Sequence, residues 1–217
     1  MDNKIFDTHH ITIDKESLAS LPCAVFEKEA VVIDRLDDVD KAIERLEKAR
    51  IIGFDTETKP SFRKGVTHQV SLVQLSTPDV CFLFRLNKIG FPERLVRLLE
   101  SEEHLKIGLS LRDDFHNLSK QHKFTPGGFV DLQKMVKEFH ITDISLTRIH
   151  AILFGQRISK GQRLTNWEAD MLSPTQISYA ALDAYSCIRI YDYLQSGEFH
   201  PEECRYLTEI PAPPVQE

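Results

Sequence analysis

The sequence predicts a single α/β domain built on a mixed β-sheet, and three observations predict it. Short β-type runs crowd the first half of the chain, at 30–33, 51–54, 69–76 and 80–86. Helical periodicity dominates the second half, through 143–154 and 174–194. The 217 residues are 41% apolar and 28% charged, the composition of an ordinary globular protein. Strands first and helices later put the antiparallel part of the sheet at its start. A chain of this length buries one full core without disulfide or metal staples. Collagen, coiled coil and disorder are excluded as the main state.

The elements follow in order. Residues 1–24 show no clear period and read as an irregular arm, ahead of a domain over 25–197. Ala30-Val31-Val32-Ile33 is a short β run. Over 37–50, apolar Val39, Ile43 and Leu46 share one helical face, with acids in the first turn and Lys48 and Arg50 in the last, matching the helix dipole. Ile51-Ile52-Gly53-Phe54 is a buried strand ending at Asp55. The stretch 69–76 alternates apolar and polar, 80–86 is a further β run, and Thr77-Pro78-Asp79 between them is hairpin-turn chemistry. A helix is expected over 92–100, where Leu95, Leu98 and Leu99 share a face. Another short strand is expected over 106–111 and a helix over 113–122, and the remainder reads as mostly helical. Residues 198–217, with Pro211-Ala-Pro-Pro-Val, read as a flexible tail.

Charge and cysteine usage narrow the function. A net charge of −6 argues against a broad non-specific grip on nucleic acid, which shows as excess Lys and Arg. It does not exclude nucleic acid, because carboxylates that hold metal ions are neutralised by them. The four cysteines are far apart with no C-x-x-C, which disfavours zinc and disulfide frameworks and fits reduced thiols in a cytoplasmic protein. No apolar run approaches the ~20 residues of a membrane span. The polar first ten residues lack the apolar stretch of a secretion signal.

Three groups of carboxylates could carry chemistry. Asp55 and Glu57 stand two apart on a strand, so both project from one side. At the end of a buried run their charges are costly unless a cation offsets them, and Mg²⁺ prefers such oxygen ligands. Alone, this pattern also suits an exposed polar strand end. Tyr179 and Asp183 stand i to i+4 on a helix and share a face, with Ala180, Ala181 and Ala184 small enough for close packing on a sheet. A half-buried phenol bonded to a helix acid is the plainer alternative. Asp113-Asp114 follows a strand, and either acid could cap the next helix. Together, acids from separate elements plus a phenol are what a two-metal phosphodiester hydrolase needs.

These stretches resemble the DEDD superfamily of 3′-5′ exonucleases, in the tyrosine-bearing branch that includes ribonuclease D and the Werner syndrome protein exonuclease domain. The likeness runs through Ile52-Gly-Phe-Asp-Thr-Glu, then 69–75 with 80–86, then Lys106-Ile-Gly-Leu-Ser-Leu-Arg-Asp-Asp-Phe. It continues through Leu164-Thr-Asn-Trp-Glu and Leu172-Ser-Pro-Thr-Gln-Ile-Ser-Tyr-Ala-Ala-Leu-Asp-Ala-Tyr. These blocks stand in family order over roughly 30–195. The resemblance implies a ribonuclease-H-like fold and two Mg²⁺ or Mn²⁺ ions. It implies Asp55, Glu57, Asp114 and Asp183 as metal ligands, with Asp114 preferred over Asp113 because Phe115 follows it. Tyr179 would orient the attacking water. The family's histidine branch would want His five residues before Asp183, where Ser178 stands.

Lys160 and Arg163 are expected as phosphate contacts and Trp167 as a base-stacking contact, each against the plainer readings of a solvated face and a packed core tryptophan. Lys59, Arg63 and Lys64 form a second candidate phosphate patch. The expected activity is a metal-dependent 3′-5′ exonuclease acting on single-stranded or 3′-ended DNA or RNA and releasing nucleoside 5′-monophosphates. The shortness of the chain and its acidity suggest short substrates, a homo-oligomer or a recruiting protein. The rivals are a non-catalytic nucleic-acid-binding module on the same fold and a phosphodiesterase for very short oligonucleotides.

Overall fold

The structure, a computed structural model, describes residues 4–210. It opens with β1 (His9–Ile11) and α1 (Lys15–Ser20), whose N-cap Asp14 accepts the amides of Glu16 and Ser17. β2 (Glu29–Ile33) leads into α2 (Leu36–Leu46), which buries Val39, Ala42, Ile43 and Leu46 as the spacing predicts. Three strands follow: β3 (Ile51–Thr58), β4 (Val70–Ser76) and β5 (Val80–Phe84). Then come α3 (Leu86–Ile89), α4 (Glu93–Glu100), β6 (Leu105–Gly108), α5 (Leu111–Ser119), β7 (Phe129–Asp131) and α6 (Leu132–Met135). α7 (Leu146–Phe154), α8 (Pro174–Ser196) and β8 (Leu207–Glu209) complete the order.

Six strands form one mixed sheet in the order β2-β5-β4-β3-β6-β7. β4 runs antiparallel to β3 and β5, and the outer pairs β2–β5, β3–β6 and β6–β7 are parallel. The β4–β5 hairpin closes as its turn residues require. Thr77 N donates to Val80 O at 2.8 Å, and Val80 N donates to the Thr77 hydroxyl at 3.2 Å. One face of the sheet, with Phe54, Val73, Leu75, Phe82 and Phe84, packs on α2, α4 and α5. The other face packs on α8, where Leu72, Cys81 and Leu83 meet Ala180, Ala181 and Ala184. Helices cover both faces, and the sheet lies between them as a buried layer.

The contact between β3 and α8 is the one that matters for the site. Gly53 lies so close to α8 that a Cβ there would sit 1.9 Å from the Ala184 carbonyl oxygen. A side chain at 53 would push the helix away from the strand. Gly53→Ala is therefore expected to destabilise the protein by about 1–3 kcal/mol through overpacking. It is also expected to weaken cation binding by separating Asp183 from Asp55. Thermal melts with and without Mn²⁺ measure both effects, and an unchanged midpoint would mean that the backbones need not meet here.

Two expectations about the ends of the domain are corrected. Residues 4–24 are not an irregular arm. β1 pairs antiparallel with β8, with His9 opposite Glu209 and Ile11 opposite Leu207. Ile11 and Ile13 are fully buried. The Asp143 carboxylate accepts from the Ile13 amide at 2.9 Å and the Thr12 hydroxyl at 3.0 Å, and pairs with Arg148 at 3.0 Å. The tail from 198 to 210 likewise carries a 3-10 turn (Pro201–Glu203), a buried Tyr206 and β8. The two termini stitch each other to the body. The Pro-rich stretch 211–215 lies outside the described residues. Between 106 and 142, where mostly helix was expected beyond the first strand, β7 adds a sixth, edge strand.

Candidate active site

β3 carries Asp55 and Glu57 past the point where the sequence suggested the strand would stop, and alternation turns both towards α8. α8 starts at a full capping box. The Ser173 hydroxyl accepts the Gln176 amide at 3.2 Å, the Gln176 side chain accepts the Ser173 amide at 3.0 Å, and Pro174 stands in the first turn. The helix then crosses the sheet on its alanines and brings Asp183 beside β3. One carboxylate oxygen from each of Asp55, Glu57 and Asp183 lies within 4.8 Å of the others. Glu57 and Asp183 are buried and Asp55 is half-buried.

Three like charges this close repel, and burial deprives them of water. Asp55 is held well above the usual carboxylate range, first by burial and then by Asp183, Asp114 and Glu57. Glu57 is pushed up to about 9 by burial and Asp183, against a smaller opposing pull from Arg163. Burial pushes Asp183 up to about 7, opposed by the nearby Tyr179 hydroxyl. Such a group is comfortable only protonated or beside a cation, and an all-oxygen donor set suits a hard divalent ion. The residues therefore fit a metal site.

Asp114 stands outside that triple. It lies in the first turn of α5, half-buried, and accepts a hydrogen bond from the hydroxyl of Thr56, the residue between Asp55 and Glu57. Its carboxyl is pushed up to about 6, mainly by burial, and its charge in turn raises both Asp55 and Glu57. Neither Asp113 nor Asp114 caps the helix, a reading the sequence had left open. The N-cap is Ser110, in the left-handed region at φ 62°, and the capping acceptor comes from another strand. Asp131 accepts the amides of Ser110 and Leu111 at 3.0 and 3.2 Å. Asp113 itself is exposed.

The expected base-stacking role of Trp167 is corrected. It is 1% exposed and packs in the core beneath α8, with its ring centroid 6.2 Å from that of Tyr179. The segment around it is anchored from below: Arg85 donates to the carbonyls of Ala169 and Asp170, and Gln176 donates to the Thr165 hydroxyl at 3.0 Å. Trp167 thus backs the phenol of Tyr179 and is out of reach of a nucleic-acid base. Tyr179 is half-buried, and burial with its acidic neighbours raises its hydroxyl above the ordinary tyrosine value. Lys160 and Arg163 are both exposed in the loop before Trp167. Only Arg163 acts electrostatically on the acids, through Glu57.

Sequence reasoning missed Gln74. It faces Asp55 across the β3–β4 ladder and is fully buried, and both polar atoms of its side chain lack a partner among the described residues. Its one sequence signal is an amide in a strand whose other polar residues are serines. Glu168 was also missed: it accepts from Lys59 Nζ at 3.0 Å and lies 3.2 Å from His68 Nδ1, tying the loop after β3 to the segment before α8.

Comparison with known proteins bears directly on this arrangement. Residues 30–197 match the profile of the 3′-5′ exonuclease family, a span that holds Asp55, Glu57, Asp114 and Asp183. The chain belongs to that family. Its members are described as 3′-5′ exonucleases. Over 156 residues the chain is 30% identical to the bifunctional 3′-5′ exonuclease/ATP-dependent helicase WRN of Mus musculus, covering 69% of this chain and 11% of that protein. The first curated relatives extend well beyond the match: the chain spans between 11% and 52% of their length. Among solved structures it is similar to the Nibbler EXO domain of Aedes aegypti, with a TM-score of 0.72 at 22% identity over 83% of this chain and 97% of that one. It is similar too to Trypanosoma brucei RNase D in complex with RNA U12, with a TM-score of 0.68 at 23% identity over 77% and 63%. The six-stranded mixed sheet is thus the ribonuclease-H-like fold that the sequence implied.

Proposed function

We propose that this exonuclease belongs to the tyrosine-bearing branch and removes nucleoside 5′-monophosphates one at a time from the 3′ end of DNA or RNA. The observation that carries the reading is the convergence of Asp55, Glu57 and Asp183 within 4.8 Å, with Tyr179 one helical turn before the last of them on the same helix. Asp55, Glu57 and Asp183 would hold divalent cations, Mg²⁺ or Mn²⁺, with Asp114 completing a second position. Bound there, two such ions supply positive charge that offsets the acids and stabilises the oxyanions of the transferring phosphate.

The chain's own residues do the positioning. Asp55, on which all three other acids act, would be the shared ligand. Glu57, at the outer end of the strand pair, would accept the terminal 3′-hydroxyl, which makes a chain end the preferred substrate. The Tyr179 hydroxyl stays protonated in this acidic, buried setting, so it orients the attacking water by hydrogen bonding and does not act as the base. Arg163, exposed and acting on Glu57, would meet a substrate phosphate, with Lys160 three residues before it in the same loop. All four cysteines are free, which suits a reducing, cytoplasmic setting.

The test is a gel time course with 5′-labelled single-stranded DNA and RNA and a recessed duplex, in Mg²⁺, Mn²⁺ or EDTA. A metal-dependent ladder shortening from the 3′ end supports the reading. No cleavage of any substrate in either metal favours a binding module, and cleavage confined to dinucleotides favours a short-oligonucleotide phosphodiesterase. Tyr179→Phe is expected to lower kcat by roughly 10²-fold, in the range of positioned proton-handling groups. Stabilisation by Mn²⁺ should persist. Unchanged turnover would remove the water-orienting role.

A further inference from the structure

The loop after β3 leaves the acid cluster at Thr58 and returns at the start of β4, and both of its feet rest on one side chain. Lys59 and His68 each reach Glu168, at 3.0 and 3.2 Å. Between them run Ser61-Phe62-Arg63-Lys64-Gly65-Val66-Thr67, all exposed, with Gly65 at φ +80° turning the tip. Phe62 is 82% exposed, an unusual cost for so large an apolar ring. The ion pairs of this region leave Arg63 and Lys64 out. Beneath the loop is a cavity of about 410 Å³ lined by Lys59, Ser61, His68, Asn117 and Lys120 among others. In the segment that Glu168 belongs to, Leu164 and Met171 are also exposed.

An aromatic ring followed by two cations, at the tip of a loop with pinned feet, has a specific chemistry. The ring offers a stacking face to any base, and the cations meet phosphates beside it. An acidic chain that must draw a polyanion to an acidic centre needs such a local positive element. A protein partner is less suited, because charged residues are depleted from the cores of protein interfaces.

We propose that residues 61–67 form a finger that grips single-stranded nucleic acid upstream of the 3′ end. Phe62 stacks on a base, Arg63 and Lys64 hold adjacent phosphates, and the Lys59–Glu168–His68 clasp fixes the finger's angle. This rests on the exonuclease reading for its direction along the strand, while the grip itself is independent of hydrolysis. A paired duplex offers no free base face, so the substrate class it selects is a single strand of several nucleotides.

The experiment is fluorescence anisotropy of a labelled 12-nucleotide single strand, DNA and RNA, in EDTA, titrated with wild type, Phe62→Ala and Arg63→Ala/Lys64→Ala. These residues are exposed, so thermal midpoints should match wild type and confirm folded samples. Phe62→Ala is expected to weaken binding roughly 5- to 10-fold, as loss of one stacked base does. The double variant should flatten the salt dependence of log Kd by about 1.4, the value for two phosphate contacts on a single strand. The kcat/KM ratio of 12-mer to dinucleotide should fall in both. Binding and salt slope equal to wild type in both variants would overturn the finger. So would equal losses on dinucleotide and 12-mer, which would place the loop inside the reacting centre. If wild type cleaves nothing, the exonuclease reading fails, and the anisotropy series still decides the grip.

Discussion

Asp55→Asn is expected to abolish hydrolysis while making the metal-free protein more stable at pH 8 and above. The substitution keeps the shape of the side chain and deletes one charge. Asp55 is the acid whose proton affinity is raised by all three of the others, so its ionised form carries the largest share of the repulsion. Removing that charge relieves Glu57 and Asp183 at no cost in packing. Catalysis moves the other way, because cations at such a site supply several kcal/mol of charge stabilisation. Losing about 4 kcal/mol of that lowers the rate roughly 10³-fold. Single-turnover assays in Mg²⁺ and thermal melts in EDTA give the two halves separately. Melts with Mn²⁺ should show the wild-type gain in midpoint nearly gone in the variant. A variant that turns over at the wild-type rate removes Asp55 from the site, and one that is merely unfolded removes the electrostatic argument.

The parts of this site that local pattern determines were legible before the structure. Asp55 and Glu57 face one way because strands alternate, and Tyr179 and Asp183 share a face because helices repeat every 3.6 residues. The alanines at 180, 181 and 184 announced a helix lying close on a sheet, and Gly53 proved to be its counterpart on the strand. Resemblance to a known family then joined the separate acids into one centre. Pattern alone left each with a plainer reading.

What was not legible depends on partners far apart in the chain. Nothing near Asp113-Asp114 could say that Asp131, on β7, caps α5 and frees both acids from that duty. Trp167 has the neighbours of a surface loop, with Leu164 and Met171 exposed, yet Arg85 and Gln176 pull its segment onto the core. β1, β7 and β8 are three residues each, too short to show a period of two, and β1 and β8 exist only because the two ends of the chain meet. Gln74 showed only as an amide in its strand, and the register that sets it opposite Asp55 is a property of the sheet.

Stability of the metal-free protein is expected to fall as pH rises from about 4 to 9, and divalent cations should abolish that fall. Below pH 4 the acids are protonated in both folded and unfolded states, so the cluster contributes nothing to the slope. As pH rises the unfolded chain ionises first. The folded state then holds more protons, and the free energy of unfolding declines with pH. The loss accumulates through Asp114 at about 6, Asp183 at about 7 and Glu57 at about 9, and Asp55, raised by all three, adds to it in the same direction. Each tenfold excess in proton affinity is worth about 1.4 kcal/mol. A hundredfold, the scale of the Asp114 shift alone, is about 3 kcal/mol, or about 6–12 °C in Tm at this chain length. A cation has to displace those protons, so its stabilising effect should be small at pH 5.5 and largest near pH 9. Melts of EDTA-treated protein across that range, with and without Mg²⁺ or Mn²⁺, measure both trends, and Asp55→Asn should show a shallower slope without metal. A flat profile in EDTA, or a cation effect that does not grow with pH, would mean that the three acids do not share their protons and do not need an ion to coexist.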